Sequence, residues 1–136
     1  MKRRHTPCVL LADSNGLLRQ TVAITARSAG LADVQEVSTL TSARQQLMQR
    51  EFDALILRLD DQRSALQLLE AVRAGRTFTH KDVGVALIAE QCDHSLASET
   101  FTLGVRHLLL QPFRVKAVLT AMDALLSARP QAADKP

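Results

Sequence analysis

The chain has 136 residues, 46% of them hydrophobic and 23% charged, with a net charge of +3. That length suits one domain with a proper core and is too short for two comfortable ones. Tyr and Trp are absent and only four Phe are present, so the core must be aliphatic and stacking on nucleic-acid bases is not expected.

No apolar run approaches the ~20 residues needed to span a bilayer. The first residues lack the apolar stretch of a secretory signal. The two cysteines, Cys8 and Cys92, are too few for a disulfide framework. Cys8 falls at the start of the first predicted strand and Cys92 after the fourth, at opposite ends of a parallel sheet, so two free thiols and a cytoplasmic location are expected. Most basic residues are spread along the chain. The one cluster, Lys2-Arg3-Arg4, reads as a solvated tail rather than a nucleic-acid or lipid contact. His5, His80, His94 and His107 share no metal-ligand spacing, so no metal and no cofactor are expected. Gly16 stands alone after the first strand and makes no phosphate loop. Asp13 and Ser14 have no His placed as a base, which leaves hydrolysis without support.

In chain order, residues 1–6 read as a flexible lead. Cys8-Val9-Leu10-Leu11-Ala12 is a buried strand, and Asp13-Ser14-Asn15 can cap the helix that follows. That helix carries Leu17, Leu18, Val22 and Ile24 as its apolar positions and stops at Gly30. Asp33 to Val37 suits an edge strand, and Ser38-Thr39 opens a polar helix through about Arg50. Phe52-Asp53-Ala54-Leu55-Ile56-Leu57-Arg58 holds an unbroken apolar run, the mark of a central strand covered on both faces. After the loop Leu59 to Arg63, Ser64 starts a helix with Leu66, Leu69 and Val72 on one side. Arg76 to Asp82 is a longer polar connection, and Val83 to Ile88 a fourth strand. Ser95 to Leu103 is a short helix closed by Gly104, and His107 to Leu110 a fifth strand. Gln111-Pro112-Phe113 turns into a last helix, with Val115, Val118, Leu119, Met122 and Leu125 or Leu126 at helical spacing. Residues 129–136, with two prolines, read as a disordered tail or linker.

Five strands alternating with five helices make an α/β domain over residues 7–128: a doubly wound, flavodoxin-like parallel sheet of order 2-1-3-4-5. In such a sheet chemistry gathers outside the carboxyl ends of the strands, which directs attention to Arg58.

Three anchors carry a family resemblance. They are Val9-Leu10-Leu11-Ala12-Asp13, Phe52-Asp53 with Ala54-Leu55-Ile56-Leu57, and Leu103-Gly104-Val105 followed by Leu108-Leu109-Leu110-Gln111-Pro112-Phe113. In this order and spacing the chain resembles the receiver domain of two-component response regulators, of the chemotaxis-regulator kind, over about residues 7–127. The resemblance implies an Asp phospho-acceptor at the end of the third strand, where Arg58 stands. It implies an acidic Mg²⁺-binding pair at Ala12 and Asp13, of which half is gone. The switch hydroxyl falls at Ile88, the phosphoryl-contacting Lys at Gln111 and the switch aromatic at Leu108. The family's Lys-Pro bond is usually cis, which implies the same for Gln111-Pro112. An arginine has no nucleophilic oxygen and brings its own charge where Mg²⁺ would sit. The resemblance is therefore to a degenerate pseudo-receiver, with Asp13, Asp60 and Asp61 as the remaining acidic pocket. Arg58 is expected to pair with Asp13, or with Asp60 or Asp61.

The expected function is non-enzymatic: a phosphorylation-independent protein-interaction module in bacterial signalling or transcriptional regulation. Its partner face, carried over from the family, is Leu96, Arg106, Leu108, Leu110 and Arg114, with Ala117 and Ala121 beside them. A kinase, regulator or output domain is the expected partner. A homodimer stays open, and neither membrane nor nucleic acid is expected to bind this domain. Two alternatives stand beside it: an anionic (cyclic di-)nucleotide held by arginines, and a residual phospho-acceptor on Asp60 or Asp61.

Overall fold

Alternating runs of buried aliphatic residues and amphipathic helices set the architecture of the computed structural model, which describes residues 6–128. The strands are β1 (Cys8–Ala12), β2 (Asp33–Val37), β3 (Ala54–Arg58), β4 (Gly84–Ala89) and β5 (His107–Leu110). Between and after them lie α1 (Gly16–Ser28), α2 (Leu40–Leu47), α3 (Gln62–Arg73), α4 (His94–Thr102) and α5 (Val115–Ala128). All four strand pairs are parallel and the order is β2-β1-β3-β4-β5, the flavodoxin-like arrangement. The expectations for the lead and the tail, Thr6 apart, lie outside the described residues.

The two faces of the sheet build two cores, because successive side chains on a strand point to opposite sides. Val9 and Leu11, Ala54 and Ile56, and Ala86 and Ile88 meet α1 and α5 on one face. Leu10, Leu55, Leu57, Val85 and Leu87 meet α2 and α3 on the other. Ala54, Leu55, Ile56 and Leu57 of β3 are all fully buried. Each large aliphatic side chain buried in this way contributes roughly 1.5–3 kcal/mol.

Local sequence explains the helix ends. Asn15, Thr39 and Asp93 each accept a hydrogen bond from a backbone N–H three residues on, the N-cap arrangement. α1 and α4 each end on a glycine with positive φ, Gly30 at 69° and Gly104 at 73°, followed by a backbone bond from Leu31 to Ala26 and from Val105 to Thr100. The connection before β4 is pinned by Thr79, whose hydroxyl donates to the Arg50 carbonyl and accepts from the Phe52 N–H.

Three expectations need correction. In α1, Leu18 and Val22 face the core, but Leu17 is 75% exposed and Ile24 67%. The buried residues are Val22, Ala23 and Ala26, with Leu18 packed partly buried against the same core, and small alanines take places that the sequence pattern assigned to larger residues. The second helix ends at Leu47 rather than near Arg50, with Met48 as its cap. The third begins at Gln62, two residues before Ser64, with Asp61 at the N-cap and no side-chain cap bond.

Candidate functional site

The strand order reverses between β1 and β3, so the crevice at their carboxyl ends is the place where this topology exposes functional groups. Asp13 leaves β1 there and is 1% exposed. Its Oδ1 accepts from the Asn15 N–H at 2.8 Å, and its backbone N–H continues the pairing with Val37. Arg19 closes the site from α1, donating from NH1 to the Asp13 carbonyl at 2.7 Å and pairing with Glu36 at 3.4 Å. A carboxylate buried this deeply needs a cation and hydrogen bonds to offset its desolvation.

Arg58, the last residue of β3, supplies the cation. Its NH1 lies 3.3 Å from Asp13 Oδ2, its Nε donates to Asp60 Oδ1 at 2.9 Å, and its NH2 donates to Gln111 Oε1. Glu90, 75% exposed after β4, makes a looser contact at 3.9 Å. The guanidinium is itself largely enclosed, its side chain 14% exposed. Burial pulls its pKa down, but the Asp13 charge and the bonds from Asp60 and Asp13 more than offset that and hold it above the ordinary arginine value. The result is one permanent charge tying together the exits of β1, β3 and β5.

The other expected residues fall as follows. Asp61 stands apart from Arg58; its Oδ2 accepts from the Ser64 hydroxyl at 2.7 Å, and that bond holds its pKa below the usual carboxylate value. Ala12 is buried against the second core, and Ile88, opposite Arg58 in the β3–β4 register, is fully buried in the first. Neither offers a polar atom to the crevice. The Gln111-Pro112 bond is cis. Beside Arg58 lies a cleft of about 270 Å³ that Asp60, Glu90, Gln91 and Leu96 help to line. Among the described residues no group of three or more His, Cys, Asp or Glu side chains is arranged to hold a metal ion.

On the expected partner face, Arg106, Leu110 and Arg114 are exposed. Leu96 and Leu108 are corrections. Leu96 is 4% exposed and roofs the cleft, and Leu108 packs against the second core beside Leu103 and Val105. Alternation along β5 turns Leu108 inward toward a helix-covered face, whereas Leu110 stands at the strand's end and is 44% exposed. Sequence reading missed Phe101 on α4, at 83% the most exposed large apolar residue among those described. It also missed Glu90. The pairing of Arg58 with Ile88 puts Glu90 two residues past that rung, so the sheet-edge rule was the signal for it.

No protein-family model matches the chain, and no curated protein does either. Solved structures do. The chain is similar to a response regulator from Thermotoga maritima, with a TM-score of 0.75 and 19% identity over 91% of this chain and all of that one. A CheY-like response regulator receiver domain protein from Methanospirillum hungatei JF-1 superposes with a TM-score of 0.79 at 11% identity, covering 92% of this chain and 97% of that one. The chemotaxis response regulator CheY4 of Vibrio cholerae gives 0.75 at 20% identity, covering 90% and 100%. The fold is therefore that of the CheY-like receiver domains. At these identities the likeness is one of architecture, and the chemistry rests on this chain's own residues.

Proposed function

We propose that this chain is an atypical receiver-fold domain acting in the cytoplasm as a phosphorylation-independent protein-interaction module in bacterial signal transduction or transcriptional regulation. The observation that carries the reading is Arg58. At the strand exit it presents a cation instead of a carboxylate, and its Nε, NH1 and NH2 are engaged by Asp60, Asp13 and Gln111. A guanidinium held this way stands where a divalent cation would balance Asp13, and it fixes one arrangement of the crevice. What the fold then offers is surface, with Arg106, Leu110, Arg114 and Phe101 exposed toward a kinase, a regulator or an output domain. No helix among the described residues is long and apolar enough to cross a membrane.

The rival readings find less support. Asp60 is held by Arg58 and Asp61 by Ser64, so either carboxylate would give up a bond to act as a nucleophile. Arg19, Arg58 and Arg73 are each engaged by the chain's own oxygens rather than converging on an anion site. The test is intact-protein mass spectrometry after incubation with acetyl phosphate and Mg²⁺. An unchanged mass is expected. A stable gain of one phosphoryl group, mapped to Asp60 or Asp61, would overturn the reading.

A further inference from the structure

β5 ends the strand order, so its outer edge pairs with no other strand among the described residues. The helix nearest that edge is set back from it: Val118, Met122 and Leu125 of α5 point into the core shared with β3 and β4. Between the edge strand and the outward side of α5 runs a groove of about 510 Å³. Its floor is apolar, with Leu109 from β5, Phe113 at the turn, and Ala117 and Ala121 from the helix. His107, Arg114 and Lys116 line its rim, and no carboxylate does. Arg106, just before the strand, lies apart from this groove, beside Arg73 and Asp82.

An unpaired strand edge presents a row of N–H and C=O groups, and a groove alongside gives alternate side chains of an added strand somewhere to go. The four residues of β5 offer about 13 Å of such an edge. Charge decides the occupant. A second copy docked edge to edge about a two-fold axis would bring a rim that carries Arg114 and Lys116 and no carboxylate against an identical rim, and like charges so placed repel. A segment bearing carboxylates would meet them favourably.

We propose that the free edge of β5 and the groove under α5 form a docking site for an extended, acidic peptide segment of a partner protein. The segment adds a sixth strand to the sheet and places one apolar side chain over Leu109 and Ala117. This deepens the interaction-module reading and rests on it.

The probe is a short fluorescein-labelled peptide with a central leucine flanked by aspartates and glutamates, titrated with the full chain and read by fluorescence anisotropy. Saturable binding is expected. Replacing the acidic residues by lysine, or N-methylating the peptide at alternate backbone nitrogens, should each weaken it by about tenfold or more. Ala117→Arg, which fills the groove from a partly exposed helix position, should do the same. The N-methylated peptide needs no protein variant, so the test survives a poorly folding Ala117→Arg. Absence of binding, equal affinity for the lysine or N-methylated peptide, or self-association of the chain that Ala117→Arg abolishes would each overturn the proposal. If a captured partner is lost on Leu110→Arg but kept on Ala117→Arg, the edge-strand mode falls while the module reading stands. A partner kept on both variants would count against the module reading itself.

Discussion

Arg58 and Asp13 form the pair on which the site depends, and removing one partner leaves the other stranded. Arg58→Ala leaves a carboxylate that is 1% exposed without its cation, and the chain should lose about 2 kcal/mol of unfolding free energy in urea. Adding Asp13→Asn should recover part of that loss, since the uncompensated charge is then gone; purely additive losses would show that the two residues do not support each other. Arg58→Lys should not restore the wild-type value, because an ammonium cannot reach Asp13, Asp60 and Gln111 together. The Arg58 charge does not titrate over the working range. A raised arginine pKa means its stabilisation is present below the ordinary arginine value and is lost only as pH rises through the folded one. Cys8 behaves otherwise. Burial, aided by Asp53 and Asp33 against the opposing Arg50, holds its thiol above the usual 9.0. The folded chain therefore keeps the proton longer than the unfolded chain, and stability should fall as pH rises from 9.0 through the folded value. Urea midpoints compared on either side of that pH should show the fall in the wild type and a flatter profile in Cys8→Ala.

Helices and strands are joined at the opposite end of the sheet by a second arginine. Arg73, in the last turn of α3, donates to the carbonyls of Leu103, Lys81 and Val83 at 2.7 Å each and of Gly104 at 3.3 Å. One planar fork thus ties α3 to the strand entry of β4 and to the C-terminal end of α4. Lysine can satisfy only part of that set, so Arg73→Lys should cost about 2 kcal/mol in thermal or urea unfolding, without altering the Arg58 crevice. A loss within error would mean that water replaces those bonds freely. Elements of this kind were legible in the sequence where burial is two-sided, as in β3, whose run from Ala54 to Leu57 admits no solvent face. They were less legible where a helix is only half covered. Leu17 and Ile24 look like core residues by hydropathy, yet Ala23 and Ala26 take the inner face because α1 lies close to the sheet. Arg73 carried no signal, since its acceptors are backbone carbonyls brought together by the fold.

The whole molecule combines a receiver-like fold with a crevice built around an arginine held by Asp13, Asp60 and Gln111. Strand order followed from the alternation of elements, and the positions of Asp13, Arg58 and Gln111 followed from the carboxyl-edge rule together with the family resemblance. The split of the partner face did not. Leu108 and Leu110 share a face of β5, but Leu108 packs against the core while Leu110, at the strand's end, stays exposed, which hydropathy alone does not separate. For that reason Leu110→Arg, and not Leu108→Arg, isolates the surface without disturbing the interior. The measurement that tests the central claim is affinity capture from lysate of the source organism, quantified by mass spectrometry. It would use wild-type chain, wild-type chain treated with acetyl phosphate and Mg²⁺, and Leu110→Arg as baits. The account predicts one specific partner captured equally by the first two and lost by the third. A partner that appears only on the acetyl-phosphate-treated bait, or one that survives Leu110→Arg undiminished, would contradict it.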